Sequence, residues 1–237
     1  MNRFFFLLFC SSFLCTFSFC QRNNDTSSNA EINKSLELYN QYMGPQANIY
    51  NGGEYVPLLF KKEGTPFFDS DTLRRGWVSY ENYIYRPIPI QYDVSKDQLI
   101  ILNFDEKSKI FLQNNRVDSF HFGNHTFIRL KENPKQNLSN SGFYEISFDG
   151  NIQVLASRKK NIKETIQANE VVRIFNTTDR FYIKKNEKYY EVKNENDVFR
   201  VIGNRRNEIK RALRQQKIKF RNNFEEALIT AAKIYDN

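Results

Sequence analysis

The chain of 237 residues is poor in the residues that most often carry chemistry. It has three cysteines, two histidines and, beyond its first twenty residues, no run long and apolar enough to span a bilayer. All three cysteines, Cys10, Cys15 and Cys20, lie in that opening segment. Arg3 supplies a positive start, Phe4 to Phe19 is a short apolar stretch, and Ser18 and Cys20 are small residues where a signal peptidase reads. This layout predicts an export signal over residues 1–20. Cleavage after Cys20 leaves no thiol, which excludes disulfides, thiol nucleophiles and thiolate metal sites from the mature chain. Cys20 is also the candidate lipidation site, although Phe19 is larger than the residue lipoprotein processing prefers before the cysteine.

The common catalytic signatures are missing too. No Gly-x-Ser-x-Gly elbow, Walker loop, dinucleotide fingerprint or His-Glu-x-x-His helix occurs. His121 and His125 would share a face on a helix. On a strand pair they point to opposite sides, which argues against a metal pair. Asp69-Ser70-Asp71 resembles the start of a calcium loop, but Thr72 to Arg75 bring no further acid ligand. No cofactor is expected.

What is present is positive charge and aromatic surface. The chain carries 35 Lys and Arg against 27 Asp and Glu, a net charge of +8. From Ser157 to Asn222 there are 19 basic and 8 acidic residues. Such a surplus attracts anionic surfaces and acidic polymers. Export makes nucleic acid a poor partner and an envelope protein or anionic surface a better one. The 22 Phe and 13 Tyr lie mostly in alternating runs, so strand packing accounts for them first.

Residues 21–30 are polar and read as a loose start to the mature chain. Glu31 to Met43 carries Ile32, Leu36, Tyr39 and Met43 at helical spacing and ends at Gly44-Pro45. From Trp77 the period becomes two. Trp77–Glu81, Tyr83–Tyr85, Ile88–Tyr92, Leu99–Phe104, Ile110–Leu112, Val171–Phe175, Phe181–Lys184 and Tyr189–Val192 are predicted strands. Pro87 and Pro89 cannot donate to a ladder, so their segment belongs at an edge or bend. Leu99 to Leu102 is apolar on both faces and predicts a central strand covered on both sides, with a helix as one candidate cover.

Two hairpins have a legible register. A two-residue Gly123-Asn124 turn pairs Phe122 with His125, Phe120 with Phe127 and Asp118 with Arg129. A three-residue Asp149-Gly150-Asn151 loop would bring Tyr144, Ile146 and Phe148 onto the face of Ile152, Val154 and Ala156. After Asn194 the pattern turns helical. Asp197 to Ile202 is stopped by Gly203, Asn204 can cap Arg205 to Gln216, and Asn222 or Asn223 can cap a last helix striped by Phe224, Leu228, Ala231 and Tyr235.

These features predict one α+β fold. An N-terminal helix precedes a curved antiparallel meander of about eight to ten strands, half-barrel or barrel-like, over residues 31–194, and basic C-terminal helices over 195–237 pack on the sheet. The leading functional expectation is a non-enzymatic envelope protein that binds a partner or surface through Arg205, Arg206, Lys210, Arg211, Arg214, Lys217 and Lys219. A carrier of a lipid-like ligand in a half-barrel is a second. A secreted glycan hydrolase using a pair among Asp69, Asp71, Asp93 and Asp97 is a third. Oligomeric state is not legible.

Asp71-Thr72-Leu73 resembles the short O-glycosylation signal of exported Bacteroidota proteins, with Thr72 as the acceptor. Tyr50 to Pro57, Gly142 to Glu145, Val154 to Arg158 and above all Asp197 to Asp236 resemble a family of uncharacterised exported proteins of Bacteroidota. The resemblance implies an envelope location and carries over no catalytic residue.

Overall fold

The computed structural model describes residues 34, 35, 38, 42–57, 60, 62–167, 170–203 and 205–236. The export segment with Cys20, the loose stretch after it, most of the expected helix over Glu31–Met43, and the Asn204 cap lie outside the described residues.

The chain is α+β and mostly antiparallel. Strands β1 (Gly53–Glu54), β2 (Lys62–Glu63), β3 (Arg74–Tyr80), β4 (Tyr83–Asp93), β5 (Gln98–Leu102), β6 (Lys109–Phe111), β7 (Val117–Phe122), β8 (His125–Leu130), β9 (Gly142–Phe148) and β10 (Gln153–Ser157) come first. They are followed by β11 (Lys160–Gln167), β12 (Glu170–Thr177), β13 (Arg180–Lys185) and β14 (Lys188–Val192). Helices α1 (Glu195–Ile202), α2 (Arg206–Gln215) and α3 (Phe224–Asp236) close the chain.

Eleven strands form one sheet in the order β1-β6-β5-β4-β3-β7-β8-β9-β10-β13-β14. Its two outer strands do not pair with each other, so the sheet is open, and the expected barrel closure does not occur. Two meanders, β3–β6 and β7–β10, are joined side by side at the β3–β7 pair. Strands β11 and β12 leave this sheet and form a second one with the two-residue β2.

The Gly123 turn, at φ +60°, sets Phe122 opposite His125 and Phe120 opposite Phe127, as the sequence predicts. The expected Asp118–Arg129 pair does not form. The ladder ends at Ser119–Ile128, Asp118 accepts from Ser79 Oγ at 3.2 Å, and Arg129 lies opposite Phe143. The second hairpin also differs. Phe148 sits opposite Val154, and the register then slips so that Leu155 meets Ile146. This bulge turns Phe148 toward Ile152 and Val154, while Tyr144 and Ile146 pack with Leu155 in a separate cluster. A long-range contact sets the loop: Asp236 of α3 accepts the Asn151 N–H at 2.8 Å, and a side chain at Gly150 would strike that carboxylate.

Residues 83–93 form one strand rather than two. Its proline-bearing half pairs with β3 only, because β5 begins its pairing at Ile90. Strand β5 is paired on both sides, third from an edge, and buried on both faces. Leu99 and Ile101 face the main core and Ile100 faces Tyr55 and Phe67, so a loop rather than a helix covers the outer face. Tyr92, Phe120, Phe127 and Phe143 fill the main core, with ring centroids 4.8 to 5.9 Å apart.

The helices cover one face of the β9–β14 half, burying Val198, Ile202, Ile209, Leu213 and Leu228 against Ile152, Val154, Ile183 and Val192. Each fully buried Leu or Ile contributes about 1.5–3 kcal/mol. Asn194 caps α1 by accepting from Asn196 and Asp197 N–H groups, so the helix starts at Glu195, two residues ahead of the predicted Asp197. Asn223 caps α3, accepting the Glu226 N–H at 3.4 Å.

Candidate functional site

The basic character expected of all the C-terminal helices belongs to α2 alone. Helix α2 has Arg206, Lys210, Arg211 and Arg214 against Glu208. Helices α1 and α3 each hold more acidic than basic residues. Ile209 and Leu213 turn inward, so the cations occupy the outer face.

The seven predicted basic residues fall into two groups. Arg205 is tied down by Glu208 at 2.6 Å and by the Ile234 carbonyl, and Arg206 lies over the Phe199 ring at 4.8 Å. Lys210 pairs with Glu195 at 3.2 Å. Arg211, Arg214, Lys217 and Lys219 form no ion pair with any described residue. Arg221 joins this unpaired set and was missed in the sequence, where it lies beyond the helical pattern.

The end of α2 shapes the site. The Ile218 N–H donates to the Leu213 carbonyl at 2.9 Å and the Lys217 N–H to that of Arg214 at 3.1 Å, a Schellman closure. Its left-handed position holds Lys217, at φ +57°. Glycine fits this position without strain, and a lysine there costs about 1 kcal/mol. The closure sets Ile218 beside Leu213. With Phe220 they form the apolar floor of a groove of about 330 Å3 whose rim carries Lys210, Arg214, Lys219 and Arg221, with one acid, Glu195, against Lys210.

The acidic candidates separate sharply. Asp69 pairs with Arg74 at 2.6 Å, and Asp71 accepts from Thr65. Asp93 is fully buried and accepts from Tyr55, from Ser95 twice and from the Lys96 N–H, so its oxygens hold the β4–β5 turn. Burial, with the Asp93 charge second, pushes the Tyr55 hydroxyl well above its ordinary value. Asp97 keeps one oxygen uncommitted, and burial raises its pKa against the pull of Tyr92, the Phe143 N–H and Arg129. Thr72 is exposed, with its hydroxyl 2.9 Å from that of Ser70.

His121 shares a hydrogen bond with Thr126 at 2.9 Å and stacks on Trp77. His125 lies 2.5 Å from Glu145 on the other side of the ladder. Among the described residues, no group of three or more His, Cys, Asp or Glu side chains is placed to hold a metal, and no helix is long and apolar enough to cross a membrane.

Sequence reasoning also missed a charge network. Arg158 donates to Glu145 at 2.6 Å, to Asp179 at 2.7 Å and to both oxygens of Glu225 at 2.6 and 3.0 Å. Its partners lie 13, 21 and 67 residues away, a separation no local pattern reveals. No protein-family model, curated protein or solved structure matches the chain.

Proposed function

We propose that this chain is a non-enzymatic exported envelope protein that binds an acidic segment of a protein partner in the α2 groove. The carrying observation is the end of α2, where Lys217 is held in a strained left-handed position next to Ile218 of a groove whose rim cations Arg214, Lys219 and Arg221 form no ion pair with any described residue. Strain retained where glycine would relieve it is a mark of function. An apolar floor with a basic rim suits an amphipathic acidic segment. Ile218 and Phe220 are half-buried in the floor rather than projecting, which favours a groove ligand over a flat lipid surface. The carrier reading draws less support, because aromatic rings fill the interior of the sheet. Export itself rests on residues 1–20.

Titration with a fluorescent Glu- and Leu-rich peptide, beside vesicles of phosphatidylglycerol, tests this reading. Peptide binding is expected and should weaken as salt rises. Arg214→Glu with Lys219→Glu should abolish it. Lys217→Gly should raise unfolding stability by about 1 kcal/mol while lowering affinity several-fold, which separates binding from folding. Equal peptide binding by the charge-reversed variant would sink the proposal. Vesicle binding without peptide binding would move the partner to lipid.

A further inference from the structure

A second cleft shares no residue with the α2 groove. The β4–β5 turn, the β8–β9 loop, the end of β10 and the start of β13 surround a polar space of about 360 Å3. Asp97, Ser141, Tyr144, Lys159, Arg180 and Tyr182 are among its walls.

The Asp97 carboxyl is oriented but half used. Its Oδ1 accepts from the Tyr92 hydroxyl at 2.6 Å and from the Phe143 N–H at 3.4 Å. Its Oδ2 has no hydrogen bond, and the nearest cation, Arg129 Nη1, stands 4.0 Å away. That Nη1 is itself buried without a hydrogen-bond partner. Glycine at 142 keeps the approach clear, since a Cβ there would come within 3.2 Å of Oδ2. Asn114 donates to the Asp97 carbonyl and holds the residue in its left-handed conformation, φ +53°.

The cations of the cleft are as uneven as those of α2. Arg158 is consumed by three carboxylates. Lys159 and Arg180 form no ion pair with any described residue. A third cation of the wall, Lys96, lies over the Tyr55 ring at 5.0 Å. The cleft thus offers Lys159 and Arg180 for an anion and, for a hydroxyl, one carboxyl oxygen without a hydrogen bond. A bare phosphate would leave most of the volume empty and would face Asp97 as a like charge. A ligand with a carboxylate at one end and hydroxyls at the other satisfies both ends, and the volume is at the low end for small-molecule sites. Arg180 gives the carboxylate a planar fork and Lys159 a point charge.

We propose that this cleft binds a sugar acid, with its carboxylate between Lys159 and Arg180 and a ring hydroxyl on Asp97 Oδ2. The site would give an envelope protein a second specificity, for an acidic saccharide unit, beside its protein partner.

Isothermal titration of the full mature chain tests this with glucuronate and a galacturonate trimer as probes and with glucose and inorganic phosphate as controls. Saturable binding of at least one sugar acid is expected, about tenfold or more tighter than either control. Arg180→Ala and Lys159→Ala should each weaken it about tenfold. Gly142→Ala, which crowds Oδ2 without touching a charge, should weaken it as well. Lys217→Gly should leave it unchanged, so this result stands apart from that of the α2 groove. No binding of either sugar acid would overturn the proposal, as would phosphate binding equally well or an Arg180→Ala, Lys159→Ala double variant that binds like the wild type.

Discussion

Asp93 and Asp97 stand four residues apart on one turn and do opposite things. Asp93 is buried and meets four donors, so its charge is compensated inside the protein. Asp97 meets two donors on one oxygen, but the desolvation of burial outweighs them, so its folded pKa rises above the ordinary carboxylate value. The folded chain therefore holds the Asp97 proton more tightly than the unfolded chain does. Between the ordinary value and the raised one, this residue makes stability fall as pH rises. An Asp97→Asn variant keeps an acceptor for Tyr92 and removes the charge. Urea denaturation from about pH 4 to 7 should show the variant gaining most over wild type at neutral pH, with the gain shrinking toward acid. A difference constant across that range would mean the charge is not the cause. In the sequence these acids are indistinguishable loop residues. Their donors come from Tyr55 just after β1, from β4 and from β9 as well as from the turn, so only the folded neighbourhood tells them apart.

Elements are held together by charge as well as by apolar packing. Arg158, at the end of β10, binds Glu145 of β9, Asp179 before β13 and Glu225 in the first turn of α3. Ser147 adds a hydrogen bond to Glu225 at 2.8 Å. One guanidinium thus locks the last helix to the sheet, with Glu225 also favoured by the positive end of its helix. Arg158→Ala would leave three carboxylates facing one another, two of them largely out of water. Such a break costs about 3–5 kcal/mol. Urea denaturation of the variant near neutral pH should show that loss, and Arg158→Met, which keeps an apolar stem against Phe181 without the charge, should show most of it too. Near wild-type stability in Arg158→Met would assign the effect to lost packing. The α3 stripe and its Asn223 cap were legible in the sequence. The latch was not, because charged residues on a strand end look like any solvated face.

The whole molecule divides into a large, well-buried sheet and a small projecting one. Strand β11 was missed in the sequence reading because Lys-Asn-Ile-Lys-Glu-Thr-Ile-Gln has too few apolar residues to alternate. Seven of its eight ladder partners are at most half-buried, with Val172 the exception. Ile162, Ile166 and Val171 remain exposed. Among the described residues, strand β12 is paired on its far side by two residues of β2. Local opening should therefore cost less here than in the aromatic core of β7–β9. Native-state hydrogen exchange should show β11 amides exchanging through local opening and β8 amides only through global unfolding. Equal protection of the two strands would contradict this division.

The sequence alone determined what depends on near neighbours. It excluded thiol chemistry from the chain beyond residue 20, marked most strand and helix segments through period and caps, and set the Gly123 hairpin in register because a two-residue turn leaves only one pairing. Tertiary structure decided the rest. Every strand edge offers the same backbone donors and acceptors, so local pattern could not say that β3 would lie beside β7 or that β13 would rejoin β10 across the β11–β12 excursion. Packing of distant side chains made those choices. The same long-range packing bulged β9, confined the basic face to one helix and its cap, and placed Asp97, with one oxygen lacking a hydrogen bond, in one cleft with Lys159 and Arg180.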